Sequence, residues 1–240
     1  MKGLDETGMN TAIILAAGKG TRMNASMNKQ YLMLKDKPIL AHSIEIFQKC
    51  DLIDEIIVVL NKDEEASCRT NVIKKYGYSK VKELVAGGSE RQHSVYNGLM
   101  HVSGNCDTVL VHDGARPLLT EAVIKRCIDG VRNFGAVSCG VPIKETIKII
   151  DENRNVKVTP RRDSIWITQT PQAFKLDILV KAHLNALEEG ITCTDDAILV
   201  EQLGINVHMV EGDYENIKIT TPDDLIIAES ILNYKRKLHR

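Results

Sequence analysis

Residues 11–17 read TAIILAA, and residues 18–23 follow as GKGTRM. The six apolar residues that follow Thr11, with no polar alternation, are the pattern of a strand covered on both faces. Two glycines directly after it, Gly18 and Gly20, allow a tight turn whose backbone N–H groups can approach phosphate oxygens. Working outward, EIIVVL at 55–60 is a second buried strand and 81–86 a shorter one. TVLVH at 108–112 and residues 136–141 add two more. Helix-compatible stretches separate them: one opened by Pro38, one across 62–76, one capped by Ser89 and running to about Val102, and one capped by Thr120 and running to about Asn133. Strands alternating with helices predict an α/β protein with a mostly parallel twisted sheet, helices on both faces and right-handed crossovers.

The alternation stops at Pro142. From there to Arg162 two β-type stretches flank Asp151–Asn155 (DENRN), which is turn chemistry. A charged hairpin of this kind makes a poor core strand and predicts a protruding arm at about 142–163, with a second subunit as its partner. After residues 169–174 a helix is expected to about Glu189, then one capped by Asp195 and ending at Gly204. Short strands are expected at 207–210 and 217–219, and Thr221-Pro222 opens the last helix with Asp223 and Asp224 at its positive end. No linker or repeat breaks the 240 residues, so one domain is expected over 1–240.

Composition narrows the partners. Apolar residues make up 43% and charged residues 26%, with a formal charge of −1. There is no basic field for nucleic acid, so an anionic ligand must be held by local cations. No apolar run reaches a membrane-spanning length, and residues 1–10 have no signal-peptide core. The cytosol is therefore expected. The six cysteines form no C-x-x-C pair and suit reduced core positions. The histidines show no metal-binding spacing.

The chemistry-bearing residues cluster after strands. The first loop carries Arg22, and Lys29-Gln30-Tyr31 follows; two cations near a glycine turn suit a triphosphate. Alone, the G-x-G is a weak signal. A dinucleotide fingerprint would need glycine at Met23, and the P-loop pattern is absent. Residues 111–117, VHDGARP, put Asp113 and Gly114 at the carboxyl end of a strand, where open α/β sheets bind ligands. Asp113 is the candidate magnesium ligand, since that ion takes one or two carboxylates plus substrate phosphates. Arg116 stands within reach of a phosphate. Residues 87–94, GGSERQHS, join a strand to a helix; the glycines, Gly88 among them, let the backbone approach a base or ribose, the helix start offers N–H donors, and Arg91 and Ser94 are candidate binding residues of the same segment.

Taken together, LAAGKGTRM, KQY, AGGSERQHSV, VLVHDGARP, PIKETIK, QTPQAF, TDDA and NIKITTPDDL resemble the 2-C-methyl-D-erythritol 4-phosphate cytidylyltransferases, over Leu15 to Leu225. The resemblance implies a Rossmann-like nucleotidyltransferase fold, CTP and a sugar-alcohol phosphate as substrates, a magnesium ion, and a homodimer embraced by the β-arm. It implies that Arg22 and Lys29 neutralise charge on the CTP phosphates. Ala16, Ala17, Gly18 and Gly20, with Gly88 and Ser94, would line the nucleotide site. Arg162 and Lys218 would position the methylerythritol phosphate, with Thr146 and Arg116 helping from across the dimer. Asn28 stands where proline is common in that family, and His93 where aspartate is common. The related ribitol 5-phosphate cytidylyltransferases tend to carry Gly-Gly where this chain has Ala17-Gly18. A non-catalytic nucleotide-binding module is the alternative of another class.

Overall fold

The structure, a computed structural model, describes residues 8–18 and 28–238. Gly20 and Arg22 lie outside the described residues. The elements in chain order are β1 (Met9–Leu15), β2 (Met33–Leu34), β3 (Lys37–Pro38), α1 (Ile39–Lys49), β4 (Glu55–Leu60), α2 (Glu65–Cys68), β5 (Val81–Ala86), α3 (Arg91–Leu99), β6 (Cys106–Asp113), α4 (Glu121–Phe134), β7 (Ala136–Pro142), β8 (Ile149–Ile150), β9 (Val156–Val158), β10 (Trp166–Lys175), α5 (Leu176–Glu188), α6 (Asp196–Gln202), β11 (His208–Glu211) and α7 (Pro222–Leu238).

Seven strands form one sheet in the order β11-β7-β10-β6-β1-β4-β5. The expected α/β sheet with helices on both faces is present. β1 is an interior strand beside the central β6, and its alternating side chains feed both layers. Ala12, Ile14 and Ala16 join α1 and α4 on one face, whereas Ile13 joins α3, α5 and α6 on the other. The reason is the two-residue period of a strand. Helix α4 shows the matching helical period, burying Val123, Ile124, Cys127, Ile128 and Val131. It stops at Gly135, which takes a left-handed φ of 77° and donates its N–H to the Val131 carbonyl at 2.8 Å.

Two crossovers lead from β1 to β4 and on to β5; the chain then jumps back across β1 to β6. Strand order therefore reverses at β1 and β6, whose ends Leu15 and Asp113 are register partners. Open α/β sheets leave a crevice at such a point. Its packing needs a residue without Cβ at 114, because a Cβ there would stand 2.9 Å from the Leu15 carbonyl.

Several local expectations differ from the fold. Residues 169–174, to which the sequence pattern assigns no element, belong to the ten-residue β10, antiparallel to both β6 and β7. Residues 217–219 form no strand; the Ile219 N–H makes a bond to the Ala115 carbonyl instead. The 62–76 stretch is broken into a 3-10 turn, α2 and a π-helical turn at Arg69–Lys74. Ser89 does not cap α3, which begins at Arg91; its hydroxyl pairs with His93 Nδ1 at 2.9 Å. Thr120 holds the N-cap position of α4 without a side-chain cap bond. Asp195 does cap α6, accepting from the Ile198 N–H at 3.0 Å. At α7, Asp224 accepts from the Thr220 and Thr221 N–H groups at 2.8 Å each. The cysteines among the described residues are free, five of them buried and Cys193 half-buried.

Residues 149–158 form the expected hairpin. β8 and β9 pair antiparallel, and Asp151 Oδ1 accepts from the N–H groups of Asn153 and Asn155 to close the turn. Ile149, Ile150, Val156 and Val158 are about half exposed along it.

Candidate active site

A cavity of about 550 Å³ opens at the β1/β6 reversal. One wall is the end of β1 and the turn after it, Leu15, Ala17 and Gly18. Gly88 and Ser89 from the β5–α3 turn, with Arg91 and Ser94 from the start of α3, form another, and Lys29, Asp113 and Lys218 stand on the rim between them. The β5–α3 turn is tight because Ser94 Oγ accepts from the Gly88 N–H and donates to the Glu90 carbonyl, both at 3.1 Å. A Cβ at Gly87 would meet Ala17 Cβ at 2.5 Å, so the two loops touch only because that residue is glycine.

Asp113 organises the charge. Lys218 Nζ lies 2.7 Å from its Oδ2, Arg91 Nε 3.8 Å from Oδ1 and Arg116 Nε 3.8 Å from Oδ2. Burial works against its ionisation, yet Lys218 first, then Arg91 and Arg116, hold its carboxyl well below the usual carboxylate range. One carboxylate thus faces three cations. Beyond Arg91 stands a second buried carboxylate, Asp196, whose Oδ2 takes Arg91 Nη1 at 2.7 Å and whose Oδ1 faces His183 Nε2 at 3.1 Å. Burial also opposes the Asp196 charge, and Arg91 and His183 overcome it to lower its pKa.

Behind Asp113 lies a neutral relay. The Asp113 N–H donates to Thr170 Oγ1, and that hydroxyl faces His112 Nδ1, both at 3.0 Å. His112 Nε2 lies 3.1 Å from the Arg116 carbonyl, which can only accept, so Nε2 carries the proton. Burial pushes the His112 pKa down from 6.5 to about 4. Between those values the unfolded chain binds the proton and the folded one does not, so stability falls as pH falls through that window. From pH 7 to pH 5, wild type is expected to lose about 2 kcal/mol more than His112→Asn, measured by urea denaturation. An equal loss in both proteins would remove this assignment.

The profile of the family described as 2-C-methyl-D-erythritol 4-phosphate cytidylyltransferase matches residues 10–234. The chain belongs to that family. It is therefore a nucleotidyltransferase of the cytidylyl-transferring kind. Proteins of that name from Caldanaerobacter subterraneus subsp. tengcongensis and Alkaliphilus metalliredigens are 49% and 50% identical to it. The alignments cover 92% and 94% of this chain and 98% and 94% of theirs. A crystal structure of the 4-diphosphocytidyl-2C-methyl-D-erythritol synthase from Anaerococcus prevotii superposes with a TM-score of 0.84 at 34% identity, covering 94% of this chain and 96% of that one.

Set against the family's motifs, the cavity gathers Ala17, Gly18 and Lys29 with Gly88, Arg91, Ser94, Asp113 and Lys218. Five other expected site residues do not line it. Ala16 puts its methyl into the core and its N–H onto the Val59 carbonyl at 2.6 Å. Gly114 packs beneath the rim. Arg116 sits behind Asp113, with Nη1 on the Asn216 carbonyl of its own chain at 2.7 Å. Thr146 and Arg162 are exposed along the hairpin segment, Arg162 donating to the Lys144 carbonyl at 3.0 Å; neither lines the cavity. The two positions that depart from the family pattern both have partners: Asn28 Nδ2 donates to Glu64 Oε1 at 2.9 Å, and His93 pairs with Ser89.

Sequence reasoning gave no role to Asp196, His183, Thr170 or Gln172. Gln172 Oε1 accepts from the Asp196 N–H, and its Nε2 donates to Asp195 Oδ2, both at 3.0 Å. The TDDA and QTPQAF segments carried the signal, but only as parts of a resemblance.

Proposed function

We propose that this cavity is where CMP passes from CTP to 2-C-methyl-D-erythritol 4-phosphate, giving 4-diphosphocytidyl-2-C-methyl-D-erythritol and pyrophosphate in the non-mevalonate isoprenoid pathway. The supporting observation is the ring of Lys218, Arg91 and Arg116 around Asp113, beside the glycine turns at the strand-order reversal. An oxygen of the substrate phosphate attacks the α-phosphorus of CTP. One P–O bond forms there as the bond to the β-phosphate oxygen breaks. The attacking oxygen is already anionic near neutral pH, so no strong base is required. The barrier is the approach of two anions, and positioned cations lower it. Lys29 and Arg22 serve the triphosphate, Lys218 and Arg162 the sugar-alcohol phosphate. The backbone of residues 17, 18 and 88 faces the nucleoside.

Magnesium belongs to the same proposal. Among the described residues, no three His, Cys, Asp or Glu side chains gather into a cage. A single rim carboxylate, Asp113, fits an ion whose other ligands come from the triphosphate and water. Held there, the ion would neutralise charge on the phosphates undergoing transfer. Release of pyrophosphate from CTP, measured with magnesium and with methylerythritol 4-phosphate or ribitol 5-phosphate offered in parallel, tests the reaction. Strong preference for the first is expected; preference for the second would overturn the substrate assignment, and release with neither would favour a non-catalytic nucleotide-binding module.

The chain is further proposed to be one nucleotidyltransferase domain, 1–240, with the arm at about 142–163 embracing a second copy. The half-exposed apolar side chains of the hairpin support this, as does the position of Thr146 and Arg162 away from their own chain's cavity. Val156→Asp with Val158→Asp is expected to give a monomer by sedimentation and to lower kcat/KM at least about tenfold, since buried charge disfavours association. A fully active dimer would defeat the arm proposal. The free cysteines suit a reducing cytoplasm. No helix among the described residues is long and apolar enough to cross a membrane.

A further inference from the structure

Arg91 has a carboxylate on either side, and the two hold it unequally. Its Nη1 is 2.7 Å from Asp196 Oδ2, while its Nε stands 3.8 Å from Asp113 Oδ1. Lys218 already occupies Asp113 Oδ2 at 2.7 Å. A guanidinium freed from Asp196 would be drawn into a close charge-assisted hydrogen bond with Oδ1, the oxygen that Lys218 leaves open. Both oxygens of Asp113 would then be closely covered. The anchor that prevents this is fixed from three elements. Asp196 is fully buried at the start of α6, its N–H is tied to Gln172 Oε1 of β10, and its Oδ1 faces His183 Nε2 of α5. His183 is itself 1% exposed. Neither Asp196 nor His183 lines the cavity, and the transfer chemistry above uses neither.

We infer that Asp196, backed by His183, is a positioning residue for nucleotide transfer: it holds the Arg91 guanidinium off Asp113, so that one oxygen of Asp113 stays open to the cavity. The inference rests on the cavity being the CTP site. A carboxylate two steps from substrate then sets how much of the rim carboxylate is available to a cation-bound triphosphate. Partners at that remove commonly alter affinity or rate about 10–100-fold when lost.

The test is a double-mutant cycle in the full chain, with Asp196→Asn, Arg91→Gln and both together. Steady-state kcat/KM is read alongside calorimetric titration of each protein with CTP and magnesium. Asp196→Asn alone is expected to lower kcat/KM about 10–100-fold and to weaken CTP–magnesium binding. In the Arg91→Gln background the same change is expected to cause no further fall, because no guanidinium remains to misplace. His183→Gln, which keeps the Asp196 charge, is expected to move both quantities in the same direction by a smaller factor. It carries the test if Asp196→Asn does not fold. Equal losses from Asp196→Asn in both backgrounds, or unchanged binding in folded Asp196→Asn and His183→Gln, would overturn the inference. If wild type binds CTP–magnesium but turns over neither alcohol phosphate, the proposed reaction fails while the binding data still decide the role of Asp196. If wild type binds no CTP, both fall.

Discussion

Lys29→Ala is expected to lower kcat by about 10²–10³, a loss of roughly 3–4 kcal/mol of transition-state stabilisation, by analogy with removal of one preorganised oxyanion donor. Lys29 sits in a 3-10 turn, Lys29–Tyr31, and its Nζ donates to the Ile219 carbonyl at 3.1 Å. The next residue back, Lys218, is bonded to Asp113, and the Ile219 N–H is bonded to the Ala115 carbonyl. Two lysine side chains and the rim carboxylate are thus fixed within one short stretch of backbone. A charge already in place need not reorganise when the leaving pyrophosphate develops its own charge. The fall should therefore appear mainly in kcat, with a smaller rise in KM for CTP. Lys29→Arg keeps the charge but spreads it over a planar fork on a different stem, so it should restore only part of the rate. Steady-state pyrophosphate release with folded protein checks all three statements. Near-wild-type kcat in Lys29→Ala would remove Lys29 from the transfer step.

The parts of this site that could be read from sequence are those written in consecutive residues. An unbroken apolar run followed by glycines marks a buried strand and its phosphate-facing turn, and Asp113 is visible because it ends another such run. The period of the pattern assigns both. β10 escaped because its middle, Gln169, Thr170 and Gln172, is polar although 5%, 6% and 1% exposed. Such residues read as a loop until their partners are known. Those partners are distant: Thr170 meets the Asp113 N–H, while Gln172 meets Ser138 and Asp195. The same gap hid Asp196, which lies 105 positions from Arg91. Residues 217–219 misled in the other direction. Ile217, Lys218 and Ile219 alternate as a strand would, but the alternation serves a different end, with the isoleucines packed toward the α7 cluster and Lys218 turned to Asp113.

This division explains why single motifs were weak and their combination strong. Gly87-Gly88 is an ordinary turn until Ala17 is found against it. Arg91 is an ordinary first-turn arginine until Asp113 and Asp196 are found on either side. The fold supplies the meaning by returning the chain across β1, which brings six sequence segments to one crevice.

Asp113→Asn is expected to damage both rate and stability, and the pH dependence separates this charge from the rest. The variant keeps the shape but leaves Lys218, Arg91 and Arg116 facing one another without the anion between them. Removing one member of a largely buried ion cluster costs about 3–5 kcal/mol; the lower end applies here, because the cavity admits water and Lys218 is 40% exposed. Rate should fall about 10²-fold or more, since the open oxygen and the orientation of Lys218 are lost together. The sign of the pH effect follows from the direction of the shift. The Asp113 carboxyl is held below its ordinary value of 3.8, so its contribution is fully present above that value and is lost as pH falls through the lower folded value. Wild type should therefore exceed Asp113→Asn by a constant margin from pH 8 to pH 5. The margin should shrink below about pH 4, where the unfolded carboxylate begins to take up its proton. The His112 window lies between about 4 and 6.5 and is common to both proteins, so it largely cancels in the difference. Urea denaturation of the two proteins across that range measures the margin directly. A margin that stayed level into acid, or that was absent at pH 7, would mean that Asp113 is not the charge around which Lys218, Arg91 and Arg116 are held.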